Sequence, residues 1–155
     1  MTTLDEYRRL IGPYLTLDSA PTPEQSIARG LASLDKALSE KTTVHRAMYR
    51  EGLGWIDFVW GDEGKWPPDA KGRRKGGKGI SHAMEARQRK DGLSYEQTLE
   101  LLRKMVYAIA EGVEKSPPIV VNRVEQVIVG KDGMEVHLVK RPGSNAWALT
   151  VFYEW

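Results

Sequence analysis

Three histidines, His45, His82 and His137, are the side chains of this sequence suited to moving protons near neutral pH. His82 stands out by its surroundings. It falls in the first turn of a helix read over 79–89, and Lys71, Arg73, Arg74, Lys75 and Lys78 come just before it. A helix N-terminus favours anions, so a phosphodiester could be held beside an imidazole there. RNA carries its own nucleophile, the 2′-hydroxyl. Cutting it needs a base, an acid and positive groups around the phosphorane, and no metal. The plainer reading of His82 is a surface histidine beside a loop.

The charge distribution points the same way. Residues 71–90 hold eight lysines and arginines against the single Glu85, in a chain whose total is only +2. The rest of the chain is therefore net negative. Concentrated positive charge is the footprint of a polyanion site, although a solvated basic loop has the same composition and nothing in it reads sequence. Other chemistries lack their residues. There is no cysteine, which removes disulfides and thiolate metal sites. No HExxH, GxSxG or His/Asp cluster at metal spacing occurs. Gly76-Gly77-Lys78-Gly79 lacks the full spacing of a phosphate loop. Neither metal nor cofactor is expected. No apolar run approaches the ~18 residues of a membrane span, and the N-terminus does not read as a signal peptide.

The elements that must position these residues are readable in outline. Leu4, Tyr7, Leu10, Ile11 and Tyr14 make a short amphipathic pattern. Thr22-Pro23-Glu24-Gln25 is a helix start, and Ile27, Leu31, Leu34 and Leu38 give the helix one apolar face. Val44–Leu53 reads as a further short helix. Trp55–Trp60 is aromatic and β-branched, hence a strand. Residues 61–78 lack periodicity and form a long loop, expected to be mobile without a ligand. Ser94 and Gln97 open another helix with a capping box, carrying Leu99, Leu102, Val106, Ile109 and Val113 on one stripe up to Pro117-Pro118. Ile119–Val129, Met134–Lys140 and Asn145–Glu154 read as consecutive antiparallel strands. The fold class is α+β, helices packed on one face of a four-stranded antiparallel sheet, with the other face free for a site. The domain reading is an N-terminal helical extension over 1–50 and one domain over 54–155.

His45 follows an ordinary helical stretch and reads as structural. His137 lies mid-strand, where alternation puts Glu135, His137 and Val139 on the face opposite Val136, Leu138 and Lys140. Thr150 could share the outward face with His137, unless a bulge intervenes. Thr150 is equally an ordinary strand threonine. Arg123 and Lys140 join the loop cations as expected RNA contacts.

Three segments together resemble the phage barnase–EndoU–colicin–RelE-like nucleases: Asp57-Phe58-Val59-Trp60-Gly61, then Gly77 to Arg87 around His82, then Trp147-Ala148-Leu149-Thr150-Val151-Phe152. The resemblance covers about residues 54–155. It implies RNA cleavage on the open sheet face, with His82 in the role of the helical catalytic histidine and Thr150 as the hydroxyl of the last strand. Members often carry a second histidine five residues after the first. Here that position is Arg87, which can clamp phosphate but cannot shuttle protons, so His137 or the substrate's surroundings would have to supply the second carrier.

Two functional readings follow. One is a metal-independent endoribonuclease, a toxin or phage factor acting in the cytoplasm on RNA such as tRNA, with an inhibitory immunity protein or antitoxin as its second partner and no membrane association. The other is a non-catalytic RNA- or protein-binding relative associated with a phage particle. A third makes the chain a DNA-binding structural protein. Loss of the histidine at position 87 favours the second; His82, Thr150 and the basic loop favour the first.

Overall fold

Local chemistry starts two of the helices. In the computed structural model, which describes residues 20–154 and only the backbone of 150–154, Thr22 and Ser94 each close a capping box. The Thr22 hydroxyl accepts from the Gln25 N–H at 3.2 Å while the Gln25 side chain accepts from the Thr22 N–H at 3.0 Å. Ser94 and Gln97 repeat the arrangement at 3.1 and 2.8 Å. Two N–H groups that a helix start would otherwise leave bare are satisfied each time. These caps begin α1 (Pro23–Glu40) and α3 (Tyr95–Glu111). Between them lies α2 (Gly79–Asp91), ended by Gly92 in the left-handed region. The amphipathic pattern over 4–14 lies outside the described residues.

The strands are β1 (Val44–Arg50), β2 (Gly54–Phe58), β3 (Val113–Glu114), β4 (Ile119–Val121), β5 (Val124–Lys131), β6 (Met134–Lys140) and β7 (Trp147–Glu154). They form one sheet in the order β1-β2-β7-β6-β5-β3, with β4 also on β5. Among the described residues the expected four antiparallel strands are thus seven, and one pair, β2 with β7, is parallel. That pairing joins strands separated by both α2 and α3, which local turn signals cannot reveal.

Three further corrections have local causes. Val44–Leu53 is not a helix. Val44, Ala47 and Met48 sit at helical spacing, but β1 carries an irregularity between Val44 and Met48, with Arg46 at φ 51°. Within the strand Ala47 and Met48 are both fully buried, so the break in alternation imitated a helical period. Ile119–Val129 is not one strand either. Asn122 and Arg123, at φ 51° and 69°, fold it into a two-residue hairpin between β4 and β5. Val113 lies beyond the helix, in β3, because Gly112 ends α3 before the prolines do.

The helices cover one sheet face. Ile56, Phe58, Val127, Val129, Val136, Leu138, Trp147 and Leu149 point into the core, and α3 supplies Leu102, Met105, Val106 and Ile109. Each fully buried side chain of this size contributes about 1.5–3 kcal/mol. Leu34 of the expected α1 stripe is buried, while Ile27, Leu31 and Leu38 flank it. The buried line of α1 runs through small residues. Gly30 lets the helix approach α3 so closely that a Cβ there would lie 2.7 Å from Val106. Leu34, Ala37 and Met48 belong to the same core as the buried residues of β2, β5, β6 and β7. None of the described helices is long and apolar enough to cross a membrane.

Candidate active site

The segment 61–78 is a loop, but it is more ordered in its bonding than its composition suggested. Asp62 and Lys78 exchange backbone hydrogen bonds at 3.0 and 2.9 Å, Lys65 donates to Lys75 and Asp69 donates to Arg73, both at 2.8 Å. The segment therefore doubles back on itself as an irregular two-stranded flap. Gly61 is required where the flap closes, since its φ is 75° and a Cβ there would lie 2.0 Å from the Lys78 carbonyl oxygen.

The flap's cations divide into two sets. Arg74 is turned inward. Its guanidinium donates to the Gly64 carbonyl at 2.7 Å, pairs with Glu85 at 3.4 Å and Glu63 at 3.5 Å, and covers the ring of Trp66. Glu85 also pairs with Arg89. Burial pushes the Glu85 carboxyl up, but the hydrogen bonds and charges of Arg89 and Arg74 outweigh it and hold it below its ordinary value. The sequence placed Arg74 among the RNA contacts; in the fold its donors are spent on holding the flap to α2. Lys71, Arg73, Lys75 and Lys78 are exposed, Arg73 within 3.8 Å of Asp69.

His82 is half-buried beneath the flap. Its Nδ1 lies 3.0 Å from the Glu63 carbonyl oxygen, and its ring packs on Gly77. A carbonyl can only accept, so Nδ1 carries the proton of the neutral ring and Nε2 presents its lone pair. The helix start beside it is not open to an anion as expected. Ile80 N–H donates to the Val59 carbonyl at 2.8 Å, and Ser81 N–H to the Trp60 carbonyl at 2.9 Å. The two residues just past β2 plug the N-terminus of α2, so phosphate binding there would fall to side chains. A cleft of about 830 Å³ lies between the flap, α1 and α2, bordered by Trp60, Glu63, Arg74, Ser81 and Gln88 and not by His82.

The remaining expected residues are scattered around this point. Arg87 is engaged with Asp91 at 2.8 Å, four positions along α2. Thr150 is the extra residue of a bulge: His137 pairs with Val151 and Leu138 with Leu149, so Thr150 is skipped. It lies two residues past Ala148, as Val59 lies two past Ala148's partner Asp57, and α2 contacts β7. The fold thus brings the backbone of Thr150 to the end of the sheet where α2 begins. His137 sits on the sheet face opposite the described helices, beside Gln126 and Val139, with Glu135 at 3.8 Å, and borders a different groove from the cleft between the flap and α2. Arg123 is exposed at the β4–β5 turn. Lys140 follows the core-facing alternation and reaches over Trp147, 6.0 Å from its ring.

One pairing escaped the sequence reading. His45 Nδ1 lies 3.1 Å from Asp57 Oδ2, and Asp57 Oδ1 accepts the Arg46 N–H at 2.8 Å. The outward alternation of Asp57 in Trp55–Trp60 was visible, but reading 44–53 as a helix hid its partner.

Matching against family models assigns residues 47–154, about two thirds of the chain, to the phage-Barnase-EndoU-ColicinE5/D-RelE like nuclease 1 family. No curated protein and no solved structure matches. With the match spanning β2, the flap, α2 and β7 together, the chain belongs to this family of phage barnase–EndoU–colicin–RelE-like nucleases.

Proposed function

We propose that this chain is an endoribonuclease that works without a metal, cutting RNA by attack of the ribose 2′-hydroxyl and leaving a 2′,3′-cyclic phosphate. The observation that carries the reading is the orientation of His82. Glu63 and Gly77 fix its ring so that Nε2 is the atom available to a substrate. In a nuclease family, an imidazole held in one tautomer beside exposed lysines is equipped to take the 2′-hydroxyl proton. Lys78 and its neighbours would neutralise the phosphorane, and Thr150 would donate a hydrogen bond to a non-bridging oxygen. Arg87 is left out of this assignment, because its guanidinium is already paired with Asp91.

The test is cleavage of a generic RNA in EDTA by the wild type and by His82→Ala, with analysis of the cut ends. Loss of the proton carrier should slow cleavage by about 10²–10⁴-fold while leaving RNA affinity unchanged. Equal cutting by the two proteins, or cutting that requires added metal, overturns the assignment. A nuclease acting on cytoplasmic RNA such as tRNA would harm the cell that makes it. The toxin role and an immunity partner belong to the same proposal, checked by growth arrest on expression and its dependence on His82.

A second reading rests on position 87. With an arginine engaged by Asp91 where relatives often have histidine, the chain could bind RNA or protein without cutting. RNA binding with no cleavage under any condition would establish it.

A further inference from the structure

We infer that His45, oriented by Asp57, is the second proton carrier of this nuclease, the general acid that protonates the leaving 5′-oxygen. The inference rests on the ribonuclease reading and fills the role that Arg87 cannot.

The geometry begins at Asp57. Its Oδ1 is held by the Arg46 N–H at 2.8 Å, and its Oδ2 faces His45 Nδ1 at 3.1 Å. A carboxylate accepts and does not donate, so Nδ1 carries a proton and Nε2 points away from Asp57. The His45 side chain is 79% exposed and that of Asp57 only 19%. An oriented, accessible imidazole backed by a shielded carboxylate is an arrangement used to transfer protons.

The backbone is bent to make it. Four residues of β1 run from the Val44–Phe58 pair to the Met48–Ile56 pair, against two on β2, and Arg46 is in the left-handed region at φ 51°. An arginine in that conformation within a strand is strained, and strain of this kind collects at functional sites. Regular pairing would not give Asp57 the Arg46 N–H. Cations also gather here. Arg29 donates to the Arg46 carbonyl at 2.9 Å, and the Arg29 and Arg46 guanidinia lie 4.8 and 5.6 Å from the ring of Trp55.

Hydrogen bonds through one residue, Trp60, link the segments that carry the two histidines. Thr43, two residues before His45, accepts the Trp60 N–H on its hydroxyl at 3.1 Å. Ser81, which immediately precedes His82, donates to the Trp60 carbonyl from both its N–H at 2.9 Å and its hydroxyl at 2.7 Å. The residue before His82 and the residue two before His45 are therefore both anchored on the backbone of Trp60, just past β2.

The step balances as follows. His82 Nε2 takes the proton of the 2′-hydroxyl, and the 2′-oxygen forms a bond to phosphorus. The phosphorus–5′-oxygen bond breaks, and that oxygen receives the proton from Nε2 of the protonated His45, whose Nδ1–H remains on Asp57. The products are a 2′,3′-cyclic phosphate and a 5′-hydroxyl.

A leaving-group substitution tests this directly. An oligonucleotide with sulfur in place of the bridging 5′-oxygen expels a thiolate, which needs no acid. With the ordinary substrate in EDTA, His45→Ala should cut about 10²–10⁴-fold more slowly than wild type. On the sulfur substrate it should recover to near wild-type rate, whereas His82→Ala should stay slow on both. Asp57→Asn keeps an oxygen for the Arg46 N–H but turns an amide donor towards Nδ1, which favours the opposite tautomer. As a positioning residue it should show a smaller loss with the same recovery on sulfur. Wild-type cleavage of the ordinary substrate by His45→Ala, or a loss not recovered on sulfur, overturns the assignment of His45 while leaving that of His82 intact. If the wild type cuts neither substrate, the ribonuclease reading fails and this one with it.

Discussion

Gly77 and the imidazole of His82 are packed without a gap: a Cβ at residue 77 would overlap the ring, 2.1 Å from Nδ1, 2.5 Å from Cε1 and 2.7 Å from Cγ. The same ring is held by the Glu63 carbonyl from the facing side of the flap. The orientation of the histidine is therefore set by main chain, not by another side chain.

Gly77→Ala should displace that ring. Displacement of a reacting group by about 1 Å can cost on the order of 10²-fold in rate. Cleavage should fall by that order, with RNA affinity and melting temperature close to wild type. The proton spectrum of His82 should shift in parallel. An alanine variant with full activity would show that the contact with Gly77 does not position the ring.

The flap cations should separate by experiment. Arg74→Ala removes the partner of Glu85 and the Gly64 carbonyl, and should destabilise the fold by about 1–3 kcal/mol. Lys71→Ala, Lys75→Ala and Lys78→Ala should leave stability unchanged. If these lysines touch phosphates of single-stranded RNA, each should lower the slope of log affinity against log salt by about 0.7. Unchanged slopes would mean that the lysines are only solvated.

Acid should loosen the flap through Glu85. Its carboxyl titrates below its ordinary value of 4.5 in the fold, so protons bind the unfolded chain first. The ion-pair contribution is then fully present above that ordinary value and is lost as pH falls through the lower, folded one. Glu85→Gln should melt below wild type at neutral pH, and the two melting temperatures should converge on acidification. A constant difference across that range would exclude the carboxylate as the source.

Arg123 offers a test in which stability and binding move oppositely. It occupies the left-handed region at φ 69° in the two-residue turn after Asn122. Glycine relieves that strain, so Arg123→Gly should stabilise the fold by about 1 kcal/mol. If Arg123 contacts phosphate, RNA affinity should fall in the same variant. Unchanged affinity removes it from the interface.

What the sequence determined by itself was chemistry that acts within a few residues. The capping boxes at Thr22 and Ser94, the apolar stripe through Leu102, Val106 and Ile109 and the hairpin of β5 and β6 all depend on near neighbours, and the family match bears out the family resemblance. Tertiary structure decided what depends on residues far along the chain. It paired β2 with β7, made a strand of 44–50 by giving it β2 as a partner, and closed the N-terminus of α2 with the carbonyls of Val59 and Trp60. It also drew Arg74 inward to Glu85 and set His45 against Asp57. A charge run or a lone histidine carries no record of which distant carboxylate will meet it, because the register of a bulged strand and the fold of a flap fix that contact.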